Sequence, residues 1–439
     1  MNASVDVMHA ELLPQFSPSR DYAMDLDAAD ILAPYRKQFE LPTHPNGQPL
    51  IYMCGHSLGL APRAALDYVS EELAEWAQLG VSGHHTATRP WIDYAQNFTK
   101  GLQHVTGALA TEVVAMNSLT VNLHLLMASF YRPVGMRDKV LIEEGAFSSD
   151  RHAVLGQLAW HKLDATETLV EIAPRAGEET LRIEDIEARI AELGGELALV
   201  LFPGVQYRTG QAFDLARITR AAHRAGAVAG FDLAHAIGNL PLSLHDWDVD
   251  FAVWCSYKYL NAGPGAIGGA FVHERHLSQE PSRLSGWWGH DPKTRFQMRP
   301  DFEPAVGAAG WAVSNPPIFS SAPLIASLEM FRSAGIDELR AKSVRMTAYA
   351  ERLIRDQCAA NVQIITPANP EERGCQLSLR VFGGQRRGRR VFDALGDHAI
   401  VCDWREPDII RIAPAPFYNR FVDVHELVEE LAAALKEIT

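Results

Sequence analysis

Residues 228–261 read VAGFDLAHAIGNLPLSLHDWDVDFAVWCSYKYLN. Two short apolar runs stand out, Val228–Asp232 and Asp250–Trp254. Each has the length and composition of a buried strand, and each leads into a residue able to do chemistry. The first ends on Asp232 and continues Leu233-Ala234-His235. The second runs through Cys255-Ser256-Tyr257 to Lys258, then into a glycine-rich stretch. Upstream the pattern repeats. Strands are predicted at Glu112–Met116, Lys139–Glu143, Thr168–Ile172 and Leu197–Phe202. Helices are predicted at Val121–Tyr131, Asp150–Lys162, Ile183–Leu193 and Asp214–Ala225. Strands separated by helices of this length imply a mainly parallel α/β sheet sandwiched by helices. In such sheets ligands bind outside the carboxyl ends of the strands, so the residues just after the apolar runs are the ones to examine.

Asp232 and Lys258 are each ambiguous alone. A carboxylate ending an apolar strand is costly to bury without a cationic partner, and an arginine or a backbone cap would serve. A lysine after an apolar strand is a usable amine nucleophile when desolvated, and an ordinary loop lysine otherwise. Together they match what pyridoxal phosphate (PLP) requires: an amine to hold the aldehyde as a Schiff base, and a carboxylate to keep the ring nitrogen protonated. Other strand ends fit. Asn117-Ser118-Leu119-Thr120 opens a helix whose N-terminus suits a phosphate, or is simply capped by Ser118 or Thr120. Phe147, ahead of Ser148-Ser149-Asp150, is placed to stack on a flat ring or to fill core.

Composition narrows the class. The chain has 439 residues, enough for a large and a smaller domain, with 47% hydrophobic and 21% charged residues. Acidic residues outnumber basic ones 54 to 40, a formal charge of −14, which argues against nucleic acid as a partner. The basic run Arg386, Arg387, Arg389 and Arg390 reads as a solvated loop or helix start. No apolar run reaches membrane-span length and no secretory leader is visible. Five cysteines, odd in number and without a Cys-x-x-Cys pair, suggest reduced thiols in a cytoplasm. Residues 1 to about 30 read as a polar arm. A helix starts at Pro62, and a long helical region starts near Pro323.

Four motif candidates are set aside or demoted. Gly263–Gly268 fits G-x-G-x-x-G but precedes a strand-like run, Gly269–Val272, where a dinucleotide site needs a helix. Gly55-His56-Ser57-Leu58-Gly59 fits the nucleophile elbow G-x-S-x-G and makes a serine hydrolase the rival reading, yet it precedes nearly all of the parallel sheet. His84-His85 and His273-Glu274-Arg275-His276 lack metal-ligand spacing, so no metal is expected.

From about Ile51 to Tyr418 the chain resembles the kynureninases, PLP enzymes of the aspartate-aminotransferase fold type. The resemblance is carried by Gly83-His84 with Arg89-Pro90-Trp91, Met116–Leu126, Gly230–His235, Trp254–Asn261, Gly286-Trp287, Ser314-Asn315-Pro316-Pro317 and Arg411-Ile412-Ala413-Pro414. It implies PLP fold type I, with residues 1–60 as an N-terminal arm and part of a small domain, 61–315 as the large PLP-binding domain, and 316–439 as a small α+β C-terminal domain. It also implies hydrolytic Cβ–Cγ cleavage of L-kynurenine or 3-hydroxy-L-kynurenine to anthranilate or 3-hydroxyanthranilate and L-alanine, in tryptophan catabolism or NAD biosynthesis. The nearest alternative is another lyase or aminotransferase of the fold type.

Roles follow from the resemblance alone. Lys258 carries the Schiff base and Asp232 pairs with the ring nitrogen. His235, Phe147 and Asp150 line the ring, and Leu119, Thr120 and Tyr257 hold the phosphate. Trp287 and Asn315 reach the cofactor from the second subunit of a homodimer. Arg411 clamps the substrate carboxylate, while Ser57, His84 and Asn315 surround the aryl ketone. The oxyanion donor is His84, Ser57 or Tyr257. Two positions depart from the family pattern: His56 stands where relatives have asparagine, and Pro203 where some have a serine.

Overall fold

The alternation along Leu197–Pro203 divides the molecule. Leu199 and Leu201 pack into one apolar cluster, Val200 and Phe202 into another on the opposite face. A strand buried on both faces must be central to a sheet covered by two helical layers. The computed structural model has that architecture. It describes residues 11–277 and 282–438; residues 1–10, 278–281 and 439 lie outside the described residues, and with them the first ten of the expected arm.

The strands, in chain order, are β1 (Ile51–Tyr52), β2 (Val113–Ala115), β3 (Lys139–Glu143), β4 (Leu169–Ile172), β5 (Leu197–Pro203), β6 (Val228–Asp232), β7 (Phe251–Trp254) and β8 (Gly269–Val272). Toward the C-terminus follow β9 (Val362–Ile364), β10 (Leu377–Val381), β11 (Ile400–Val401), β12 (Asp403–Arg405) and β13 (Ile409–Ile412). The large sheet has seven strands in the order β2-β8-β7-β6-β5-β3-β4. Neighbours from β4 to β7 are parallel, and β8 alone runs antiparallel to both its neighbours, β7 and β2. The C-terminal ends of β2, β3, β5, β6 and β7 therefore share one edge. Helices Leu119–Phe130 and Ser148–Trp160 cover one face; Gln96–Thr106 and Leu215–Arg224 are among those on the other.

A smaller sheet, β12-β13-β10-β9, is antiparallel throughout. With helices Ile336–Cys358 and Phe421–Glu437 it encloses a second core. β1 pairs with β11, which ties the early chain to this C-terminal unit.

Two expectations need correction. The stretch read as an arm contains a helix, Arg20–Ala28, capped by Ser19 and burying Ala23 and Leu26 in the second core. The long helix begins at Ile318, with Pro323 inside it, and buries Leu324, Leu328 and Phe331 in the first core. Pro323, the sixth residue of this helix, has no N–H to give the Phe319 carbonyl, so it removes one intrahelical hydrogen bond. We therefore propose the boundary between the units at Gly335, where φ is +80° and one helix gives way to the next, rather than at 315/316. Among the described residues no helix is long and apolar enough to cross a membrane.

Candidate active site

A cavity opens at the shared strand edge. Eight residues expected from the sequence line it: Leu119, Thr120, Phe147, Asp150, Asp232, His235, Tyr257 and Lys258. Each arrives from a strand end. β6 delivers Asp232, whose Oδ1 accepts the Ala234 N–H at 2.7 Å, and the turn that follows carries His235. β7 delivers Lys258, whose Nζ lies 3.1 Å from His235 Nε2 and 5.8 Å from the centre of the Phe147 ring. After β2, Asn117 adopts φ +44° and its carbonyl accepts the Gly268 N–H at 2.7 Å. That fixes the turn into helix Leu119–Phe130. Gly268 sits so close that an added Cβ would lie 2.9 Å from the Trp254 carbonyl and 3.2 Å from the Leu119 nitrogen. The glycine-rich motif thus serves close backbone approach.

The electrostatics are unusual for a strand edge. Burial pushes the Asp232 carboxyl up, opposed by the charge of Lys258. Burial and then the charge of Asp232 push the Asp150 carboxyl far up. Glu143, at the end of β3, is raised by burial to about 8, with one long hydrogen bond from Gln206 Nε2 at 3.4 Å. Asp150 Oδ1 and His235 Nδ1 are buried without a hydrogen-bond partner. Ser118 occupies the N-cap position but makes no capping bond, and Thr120 Oγ1 instead meets Ser149 Oγ at 2.7 Å. The set suits a flat ligand with an anionic group at the helix N-terminus and a protonated ring nitrogen at Asp232.

Arg411 lies in the small sheet. It is fully buried and held by Asp403, its direct cross-strand partner, with Nε to Oδ2 at 2.7 Å. Its Nη1 donates to the carbonyl of Tyr207 at 2.6 Å, and the Tyr207 ring packs edge-on against Phe147 with centres 5.2 Å apart. Tyr207 thus links Arg411 to the cavity. Ser57 is half-buried in a loop that follows β1, a two-residue strand outside the large sheet, and the next helix starts only at Arg63. That context rules out a nucleophile elbow. The motif's glycine has another use: a Cβ on Gly59 would sit 2.3 Å from the Lys258 carbonyl, and Gly59 N–H donates to the Tyr257 carbonyl at 2.9 Å.

One chain does not bring His84, Trp287 and Asn315 to Lys258. His84 and Asn315 are exposed and Trp287 is 47% exposed. Their sequence neighbours His85, Trp288 and Ser314 line a separate cleft with Phe296. Pro203 lines the cavity with its ring and donates nothing. Sequence reasoning missed Glu143, Tyr207 and Asp403. For Glu143 a signal existed, a carboxylate ending an apolar strand as in Asp232.

The C-terminal residues 339–431 match the family model described as the kynureninase C-terminal domain. Kynureninase of Xanthomonas campestris pv. campestris (strain B100) is 56% identical over 413 residues, covering 94% of this chain and 97% of the relative. That of Myxococcus xanthus (strain DK1622) is 54% identical over 423 residues, covering 96% and 99%. The chain belongs to the kynureninase family. Among solved structures, a C-DES variant with glycine covalently linked to its PLP cofactor superposes with a TM-score of 0.74 at 19% identity, covering 92% of this chain and 99% of that one. A cysteine desulfurase of Escherichia coli gives 0.72 at 18%, covering 93% and 99%. These place the chain in the fold of PLP fold type I enzymes. The matched C-terminal segment contains both Asp403 and Arg411.

Proposed function

We propose that this chain is a pyridoxal phosphate-dependent hydrolase that cleaves the Cβ–Cγ bond of kynurenine, releasing anthranilate and L-alanine. The observation that carries the reading is the meeting of Lys258, Asp232 and the open N-terminus of helix Leu119–Phe130 in one cavity, in a chain of this family. Pyridoxal phosphate is the cofactor; when bound it supplies an aldehyde for amines and a ring that stores the electron pair released at the substrate α-carbon.

The chain's own groups do the rest. The Lys258 amine holds the cofactor, then takes the α-proton and returns it where product requires it. Asp232, with Asp150 beside it in the cavity, would pair with the ring nitrogen. Leu119 and Thr120 N–H groups, with the Thr120 and Ser149 hydroxyls and Tyr257, would bind the phosphate. Phe147 would stack on the ring and His235 would border it. Arg411, oriented by Asp403, takes the substrate carboxylate with a planar fork. Ser57, His84 and Asn315 meet the aryl ketone, where water adds; Ser57, His84 or Tyr257 donates to the oxygen that becomes negative. Because His84, Trp287 and Asn315 lie apart from Lys258 within one chain, a homodimer in which the partner copy closes the site fits best. Five free cysteines, all buried, agree with a cytoplasmic setting.

The test is direct. Purified protein should absorb in the visible, and borohydride should fix the cofactor to Lys258. Anthranilate fluorescence should then grow with kynurenine, and a parallel rate with 3-hydroxykynurenine ranks the two substrates. Transamination or desulfuration without anthranilate would leave the cofactor reading standing and remove the substrate.

A further inference from the structure

His56 stands out among the buried polar groups. Its side chain is fully buried and neither ring nitrogen has a hydrogen-bond partner. Buried polar atoms in native proteins are paired in the great majority, so two bare nitrogens on one imidazole call for an external partner. The surroundings say which kind. The His56 ring centre lies 6.4 Å from that of His235, whose Nε2 is 3.1 Å from Lys258 Nζ. A His56 nitrogen, Cys54 Sγ and an Asp403 carboxylate oxygen all lie within 4.8 Å of one another, and Asp403 grips Arg411. The Lys258 amine and the Arg411 guanidinium are thus each one side chain away from the imidazole, through His235 and Asp403. Gly59, pressed on the Lys258 carbonyl, anchors the loop that holds it there.

Burial and the charges of Arg411, Lys258 and Arg405 all hold His56 neutral, with one N–H to donate. Arg411 has unused capacity too: its Nη2 contacts Asp403 Oδ2 at 2.6 Å but without hydrogen-bond geometry. A carboxylate is the acceptor both groups suit, and cationic neighbours would stabilise it.

We propose that His56 donates its ring N–H to the α-carboxylate of the bound amino acid, beside Arg411, and so determines affinity for the amino-acid end of the substrate. This rests on the function proposed above. A metal at Cys54, His56 and Asp403 is disfavoured by the same two arginines.

The experiment compares the cofactor-loaded wild type with His56→Leu, which removes the N–H, and His56→Asn, which keeps one. L-alanine is the probe, since it carries the amino-acid end without the aryl ketone. The leucine variant should weaken inhibition by L-alanine and raise KM for kynurenine by the same factor, on the order of 10-fold. Its kcat should stay within about 3-fold and its cofactor content should be unchanged, with the asparagine variant restoring most of the loss. If the leucine variant does not fold, His56→Met removes the N–H with a more adaptable side chain. Unchanged L-alanine inhibition overturns the proposal, whether or not KM moves. Reduced cofactor content and stability with L-alanine inhibition intact would assign His56 a structural role instead. A wild type that takes up no cofactor would instead overturn the functional reading itself.

Discussion

The two ends of the large sheet both gather buried carboxylates and histidines, and they differ in one respect. At the C-terminal edge, Asp150, His235 and His56 keep polar atoms without partners. At the opposite edge every such group is engaged. Asp250, just before β7, accepts from His223 Nε2 at 2.8 Å, His276 Nε2 at 2.7 Å, Arg275 Nη2 at 2.6 Å and the Ala229 N–H at 2.7 Å. Glu112, just before β2, accepts the Leu109 and Glu274 N–H groups at 2.8 Å each and His245 Nδ1 at 3.0 Å. The His273–His276 motif thus serves to satisfy these two acids. Glu112, His245 and His273 are close enough to ligate an ion, but His273 Nδ1 already accepts the Arg275 N–H at 3.2 Å. A satisfied network fixes one packing arrangement; an unsatisfied one waits for a ligand. The acids' proton affinities follow the same division: Asp250 is held far down by its donors, Asp150 and Glu143 are driven up by burial.

Breaking each end should therefore fail in a different way. Lys258→Ala should cut kcat on the order of 10⁴-fold, followed by anthranilate fluorescence, with thermal stability of the cofactor-free protein unchanged. A stability loss there instead would erase the distinction. Asp250→Ala should do the reverse, costing about 3 kcal/mol in urea unfolding while the folded fraction keeps its kcat. Loss of activity without loss of stability would place function at this edge as well.

The pH dependence should also split by sign. Glu143 has a folded-state pKa of about 8, above its unfolded value, so its contribution is full at low pH and is lost as pH rises from the ordinary carboxylate range through about 8. Cofactor-free protein should lose stability over that window by roughly 1 kcal/mol per pH unit, and Glu143→Gln should flatten the slope. Asp250 is depressed, so its contribution is present at neutral pH and is lost as pH falls through the ordinary carboxylate range and below. Urea unfolding of the Glu143→Gln and Asp250→Ala proteins from pH 4 to 9 separates the two.

The large sheet was readable in the sequence because β5, β6 and β7 are short apolar runs, and their parallel direction alone collects Asp232 and Lys258 on one edge. What was not readable depends on contacts distant in the chain. Helix Arg20–Ala28 looks polar because only Ala23 and Leu26 are buried, and Asp27 docks it by accepting the N–H groups of Phe421 and Val422 at 2.7 and 3.0 Å. Asp403 becomes Arg411's partner only through the β12–β13 register. His56 looked like a departure from the family pattern with no role, because nothing local shows its distance to Arg411. His84 and Asn315 are exposed in this chain and line no cavity with Lys258, so no contact within it assigns them a role.

The basic run at Arg386–Arg390 gives the smallest test of the partnered-versus-bare distinction. It begins helix Gln385–Asp397, and its members are not equivalent. Arg389 pairs with Asp393 at 3.0 Å, both more than half exposed, and its guanidinium lies 5.0 Å from the Phe392 ring centre and 5.9 Å from that of Trp404. Arg387 Nε donates to the Ile438 carbonyl at 2.7 Å, and Nη2 donates to Leu435 at 2.9 Å and to Asn361 Oδ1 at 3.1 Å. It closes the C-terminal end of helix Phe421–Glu437, where carbonyls lack partners and a cation is favoured. Arg387→Ala should cost about 1 kcal/mol in urea unfolding and leave KM and kcat alone, while Arg389→Ala should cost at most ~0.5 kcal/mol. A change in kcat from Arg387→Ala would mean that full partnering does not mark a purely structural residue here, and the contrast between the two sheet edges would then have to rest on Lys258 and Asp250 alone.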